Sequence, residues 1–206
     1  MFFKPMQHKG AGLPHNPLKA IVSPRPIGWI ASKGADGSLN LAPYSFFNAI
    51  SEDPAMVMFS VQSDNPTHRK DSLRNIDETG EFVVNIVSEA QFDAMNISSG
   101  SYPYGDSEFD LAGLGTEPSQ TVDVPRASGV PAALECRHFQ TMDLPRNEAG
   151  GGYVLVIGTV TGIYIDDAVI KDGLVSYDAF VPISRLGYRD YGRVTDIFQA
   201  SRPGQS

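Results

Sequence analysis

The 206-residue chain has a single cysteine, Cys136, so it carries no internal disulfide framework. That fits a reducing compartment, and Cys136 itself reads as a small buried hydrophobe rather than a nucleophile. Basic residues are scarce: 16 Lys and Arg against 24 Asp and Glu leave a formal net charge of −8. Such a balance argues against nucleic acid as a partner, although a few local cations can still hold a small anion. No apolar run approaches the roughly 20 residues that a bilayer crossing needs. The opening "MFFKPMQHKG" lacks the apolar segment of a secretion signal, so a cytoplasmic protein without a membrane partner is expected. The four histidines, His8, His15, His68 and His138, are scattered without metal-ligand spacing, and no metal site is expected.

Familiar catalytic motifs are missing as well. There is no G-x-G-x-x-G after a strand, no G-x-x-x-x-G-K-[ST] loop and no G-x-S-x-G elbow. A hydrolase would have to be assembled from Ser45 or Cys136 with His68 or His138, with no local nucleophile geometry in support. The acidic clusters "EDP" (52–54) and "IDD" (165–167) read as solvated turn carboxylates rather than a glycosidase pair. What remains is ligand binding without a charged catalytic residue, which points to a cofactor that brings its own reactivity.

Turn formers are plentiful, with 20 Gly and 15 Pro, and they favour a β-rich chain over a helical bundle. Strand character is clearest in "IGWIAS" (27–32), "AMVMFSVQ" (55–62), "EFVVNIV" (81–87), "YVLVIGTVTGIYID" (153–166) and "LVSY" (174–177). After the first of these, "KGADGS" is a tight turn, with Asp36-Gly37 as the hairpin signal. A helix is predicted over "NPTHRKDSLRNIDETGE", with Asn65 as N-cap, Pro66 at the first position, Leu73 and Ile76 on one face and Gly80 as the stop. A second, "SEAQFDAMN", opens with Ser88 and Gln91 in capping-box spacing. Residues 98–128 form a long Gly/Ser/Pro/Asp-rich excursion with room for one short helix, the kind of connection that is usually functional or a lid. The expected architecture is one domain over 1–206: mainly antiparallel β, closed as a barrel, with a few helices laid on it.

The stretch "SPRPIGWIASKGADGSLNLAPYSFFNAISEDPAMVMFS", followed by "RKDSLRNIDETGEFVVNIV", resembles the flavin reductase-like family of FMN-binding split-barrel proteins. The later "YVLVIGTVTGIYIDDAVIKDGLVSYDAFVPISRLGYRDYG" is similar to the second half of that family, including its R-L-G-x-x-x-Y ending. The likeness spans roughly residues 17 to 192, leaving 193–206 as a flexible tail. It implies a split β-barrel of Greek-key type, a homodimer with FMN at the interface, and reduction of flavin by NADH or NADPH, often to feed a partner monooxygenase.

Carried over residue by residue, the resemblance puts Ala31 and Ser32 at the edge of the flavin ring. Pro43, Tyr44, Ser45, Phe47 and Asn48 would wrap the ring and ribityl chain, with Ser45 and Asn48 as hydrogen-bonding groups and Phe47 as an apolar wall. Lys70, Asp71 and Ser72, with Arg69 beside them, would hold the phosphate at a helix start, where free N–H groups and a positive dipole end favour an anion. Two positions depart from the family. Ser72 stands where Thr is common, which keeps a hydroxyl. Tyr188 replaces a common second Gly after Gly187, on the side where nicotinamide would approach, so Tyr188 and Arg185 read equally as structural groups or as contacts there. Trp29 fits a core anchor better than a flavin stacker. A flavin carrier or sensor without turnover, and a dimeric β-barrel interaction module, remain alternative readings of the same chain.

Overall fold

The computed structural model describes residues 1–63 and 69–204. Seven strands form one antiparallel sheet: β1 (Gly28–Lys33), β2 (Leu39–Tyr44), β3 (Phe47–Glu52), β4 (Ala55–Ser63), β5 (Glu81–Ile86), β6 (Ala132–Asp143) and β7 (Gly152–Ile165). Their spatial order is β2-β1-β5-β6-β7-β4-β3. The two outermost strands, β2 and β3, are therefore neighbours in sequence, separated only by Ser45 and Phe46. Two residues cannot bridge the width of a flat seven-stranded sheet, so the sheet must roll until its edges meet. The Ser60 amide donates to the Phe46 carbonyl at 2.8 Å and pins that corner. The result is a barrel with a seam where β2 turns into β3.

Helix α1 (Asp71–Thr79) carries the chain from β4 to β5 and lies against β1 and β2. Leu73 and Ile76 point from it into the barrel core beside Ile30, Phe59, Phe82 and Val156. The helix begins later than the sequence suggests. Lys70 is its cap residue, still in extended conformation (φ −59°, ψ 146°), and Gly80 ends it in the left-handed region. The expected cap Asn65 and the following Pro66 lie outside the described residues. α2 (Phe92–Ile97) follows a short 3-10 turn whose Ser88–Gln91 capping box is formed as expected.

The 98–128 excursion packs against the barrel. It contains α3 (Glu108–Leu111) and a small ladder of Thr116–Glu117 with Arg126–Ala127. Its Phe109, Val122, Val124 and Ala127 join Trp29, Ala31, Leu41 and Val83 in a second core on the outside of the barrel. Strands β1 and β5 are consequently buried on both faces, which is why "IGWIAS" and "FVVNIV" are almost continuously apolar. Polar clasps hold the excursion down. The Trp29 indole donates to Ser98 Oγ at 2.8 Å, and the Ala127 amide to Asn85 Oδ1 at 2.9 Å. The amides of Gln120 and Thr121 donate to the carboxylate of Glu135, which is only 4% exposed.

Gly158 marks a close approach. A Cβ there would sit 2.4 Å from the Phe82 ring, and the β6–β7 register shifts beside it. Of the seven strands of the rolled sheet, three escape sequence reading: β2, β3 and the twelve-residue β6. "LVSY" shrinks to Leu174–Val175, paired with Ile170–Lys171. After β7 the chain adds β8 (Ile183–Arg185), which pairs with a two-residue strand at Arg25–Pro26 on one side and with β9 (Tyr191–Arg193) on the other.

Candidate functional site

A cleft of about 420 Å³ opens where the start of α1 faces strand β2 and the loop after α2. Three short stretches build it. The strand contributes Asn40, Ala42 and Tyr44, alternate residues of one face with Pro43 between them, and the helix start contributes Arg69 to Ser72. Loop residues 98–104 and Glu108 complete the lining.

Ser72 is the hub of the polar wall. It is 1% exposed, and its Oγ accepts from Asn40 Nδ2 at 2.8 Å and from Tyr44 Oη at 3.0 Å. With two donors already pointed at its oxygen, the remaining function of the hydroxyl is to donate, and no acceptor for it lies among the described residues. Ser72 therefore presents a preset donor to the cleft, in the first turn of a nine-residue helix whose early amides also lack helical partners. Lys70 stands beside it, exposed, and among the described residues no carboxylate pairs with it. Arg69 is paired with Asp77, one face further along α1. This end of the cleft is built for an anion.

The Glu108 carboxyl is 6% exposed, accepts from the Leu41 amide at 2.9 Å, and is pushed above the usual carboxylate range by burial. Burial likewise pushes the Tyr44 phenol up to about 12, with the carboxylates of Glu108 and Asp71 adding to it against the Ser72 hydrogen bond. Tyr44 is thus neutral at any physiological pH and acts as a hydrogen-bond donor. Tyr44 is therefore no proton-transfer group near neutrality; its part in the cleft is to bind and orient.

Of the sequence-selected residues, Pro43, Tyr44, Arg69, Lys70, Asp71 and Ser72 are brought together around this cleft. Ala31 and Ser32 are fully buried behind it, with Ser32 Oγ accepting from Asn75 Nδ2 at 3.2 Å. Phe47 is packed into the barrel core, Ser45 sits in the corner between β2 and β3, and Asn48 is exposed on β3. None of these five side chains lines the cleft. Trp29 is a core residue with 0% exposure, and Cys136 is equally buried, its thiol pushed up by burial and by the neighbouring Glu135. Tyr188 adopts φ 55°, a left-handed conformation that suits the glycine it replaces, and its ring meets His15 at 5.6 Å.

Sequence reasoning missed Asn40, the 98–104 wall and Glu108. Asn40 could have been found by period-2 reading of "LNLAPY", which puts Asn40, Ala42 and Tyr44 on one face. Nothing local in sequence brings the loop or Glu108 to the helix start.

A family model described as "Flavin reductase like domain" matches residues 22–183. An uncharacterized protein of Aquifex aeolicus is 36% identical over 172 residues, covering 83% of this chain and 85% of its own. The crystal structure of nitrilotriacetate monooxygenase component B from Bacillus cereus superposes with a TM-score of 0.88 at 30% identity, covering 97% of this chain and 98% of that one. That of the 2-nitrobenzoate 2-nitroreductase NbaA of Pseudomonas fluorescens gives 0.81 at 31% identity, with 98% and 93% covered. The rolled sheet is the split barrel of these proteins. The chain belongs to the flavin reductase-like family.

Proposed function

We propose that the protein binds FMN and works as an NAD(P)H-dependent flavin reductase. The observation that carries this reading is the donor at Ser72, beside Lys70, with which no carboxylate pairs among the described residues, and the first-turn amides of α1, which have no partner within the helix. A phosphate dianion satisfies all three at once, which reconciles anion binding with a net charge of −8. In this reading Lys70 and Ser72 anchor the phosphate, while Tyr44 and Asn40 lock the Ser72 hydroxyl in its donating orientation. Pro43 and the β2–β3 corner, with Ser45, Phe47 and Asn48, carry the edge along which the ring lies, and the backbone of Ala31 and Ser32 backs it. When bound, the flavin supplies the redox chemistry, taking a hydride from NADH or NADPH and yielding electrons to an acceptor. The protein contributes position and exclusion of water, so no side-chain acid or base is required.

A homodimer and a partner monooxygenase complete the proposal. Large apolar side chains left in solvent, such as Phe139 at 62% and Ile163 at 64% exposure, support a second copy covering part of the barrel. The similarity to a monooxygenase component of Bacillus cereus supports an oxygenase as the consumer of reduced flavin.

The test is flavin titration followed by NADH and NADPH oxidation with added FMN. Tight binding with turnover supports the reductase. Binding without turnover leaves a carrier or sensor, and no binding removes the flavin reading. Lys70→Glu is expected to weaken FMN by well over tenfold without changing thermal stability; an unchanged dissociation constant removes Lys70 from the phosphate site.

A further inference from the structure

Charge is unevenly spread along the chain. No Asp or Glu occurs before Asp36, whereas Lys4, Lys9, Lys19, Arg25 and Lys33 all do. The structure brings part of that basic stretch against the turn between β8 and β9, whose sequence is R-L-G-Y-R (185–189). The Arg25 guanidinium, on a residue 5% exposed, donates to the carbonyls of Lys19, Val22 and, at 2.8 Å, Leu186. Ala20 packs on Gly187, where an added Cβ would lie 2.5 Å from the Ala20 Cβ, and the His15 ring meets the Tyr188 ring. Residues 15–25 and 185–189 are thus one surface, and it carries Lys19, Arg25, Arg185 and Arg189.

These cations crowd together without counter-charges. Burial, and then the nearby charge of Arg185, push the Arg25 guanidinium below its usual range. Carbonyls take its two terminal nitrogens, but its Nε is buried with no acceptor. The Arg185 guanidinium donates to the Tyr188 carbonyl and lies over the Tyr191 ring, 4.3 Å from the centroid. Among the described residues no carboxylate forms an ion pair with any of the four, that of Asp190 in the same turn included. Carbonyls and ring faces orient such groups but leave their charge in place, so a bound anion would relieve the cluster.

The position of the cluster points to which anion. The Lys19 ammonium and the Arg25 guanidinium stand 5.6 and 5.8 Å from the centroid of Phe46, in the β2–β3 corner just past Tyr44 of the cleft. None of the four cations lines the cleft itself, where Arg69 and Lys70 supply the positive charge. A reductant that reaches a flavin along that corner passes this surface. NADH and NADPH differ only in a 2′-phosphate on the adenosine ribose, a group close to a dianion at neutral pH. We propose that Lys19, Arg185 and Arg189, with Arg25 buried behind them, form a second phosphate site that takes this group, so that the protein uses NADPH in preference to NADH. This rests on the reductase reading above and adds the choice between the two dinucleotides.

Steady-state oxidation of NADPH and NADH with FMN present, at low and at high ionic strength, tests it. One charge-assisted phosphate contact sets the scale: kcat/KM for NADPH is expected to exceed that for NADH by about tenfold or more at low salt, narrowing as salt is added. Lys19→Glu and Arg189→Glu, both at exposed positions, are expected to bring the ratio towards one by raising KM for NADPH. Calorimetric titration of 2′-phospho-ADP-ribose against ADP-ribose reads the same phosphate without turnover, and the phosphorylated fragment is expected to bind about tenfold tighter. Equal use of the two dinucleotides, a preference for NADH, or equal binding of the two fragments overturns this proposal and leaves the reductase reading intact. A preference for NADPH that both variants leave unchanged overturns it as well, because the phosphate is then held elsewhere. If neither dinucleotide is oxidised, the reductase reading fails and takes this inference with it.

Discussion

Replacing Ser72 by alanine strips the hub from the polar wall of the cleft without touching its charge. Two donors lose their acceptor: Asn40 Nδ2, on a side chain 7% exposed, and the Tyr44 hydroxyl. An unsatisfied buried donor costs about 1–3 kcal/mol. Asn40 bears that cost nearly in full, whereas the Tyr44 hydroxyl can find water through the cleft, so the sum is about 2–4 kcal/mol. For a chain of this size each kcal/mol moves the melting temperature by roughly 2–4 °C, giving a fall of roughly 5–15 °C. Differential scanning calorimetry of the ligand-free protein measures this directly. Ser72→Thr, which keeps the hydroxyl and is the common residue of the family, is expected to recover most of the loss. A Ser72→Ala protein that melts within a degree of wild type would show that the hub does not hold Asn40 and Tyr44, and the forced-donor argument would fall.

Gly158→Ala forces a methyl against the Phe82 ring in the barrel core, where Gly158 is buried and Phe82 is fully enclosed. Overpacking of this kind costs about 1–3 kcal/mol, read as a lower urea midpoint at unchanged slope; no shift would mean that Phe82 is free to move. Glu108→Gln bears on pH dependence. Burial raises the Glu108 carboxyl, so the folded state keeps that proton to higher pH than the unfolded chain does. The stability it contributes is full below the ordinary glutamate range, near about 4.3, and is lost as pH climbs through the raised value. Gln keeps an acceptor for the Leu41 amide and has no charge to bury, so the variant should gain on wild type as pH rises from about 4 towards neutrality. Parallel stability curves over that range would contradict the burial argument.

The sequence carried the barrel where burial was simple. Strands β1 and β5 are enclosed on both faces and announce themselves as apolar runs, and β7 shows the same signature over most of its length. The strands that escaped have identifiable disguises. Pro43 sits in β2, which tolerates it because β2 is the last strand of the hydrogen-bonded order and needs no donor on its outer side. β3 offers Asn48, Ala49, Ile50 and Glu52 to solvent and has only Phe47 buried. In β6 the buried Glu135 stands where an apolar side chain would have completed the alternation, because it serves as a clasp for the excursion.

The excursion reads as loop because Phe109, Val122 and Val124 are isolated among Gly, Ser and Pro. Their burial depends on an outer barrel face that only the fold creates. The same holds for the cleft. The helix-start residues Arg69 to Ser72 were legible from the family pattern, since their spacing is local. Asn40 and Glu108 reach Ser72 and Leu41 across 32 and 67 residues, a distance no local pattern encodes.

The central claim is that a phosphate group is what the α1 start holds. Comparing FMN with riboflavin, which lacks only that phosphate, tests it with the ring held constant. Charge-assisted hydrogen bonds contribute about 1.5–3 kcal/mol, so FMN should bind roughly 10- to 150-fold tighter at low ionic strength, with the gap narrowing as salt is added. Equal affinities for the two flavins at low salt would contradict the account.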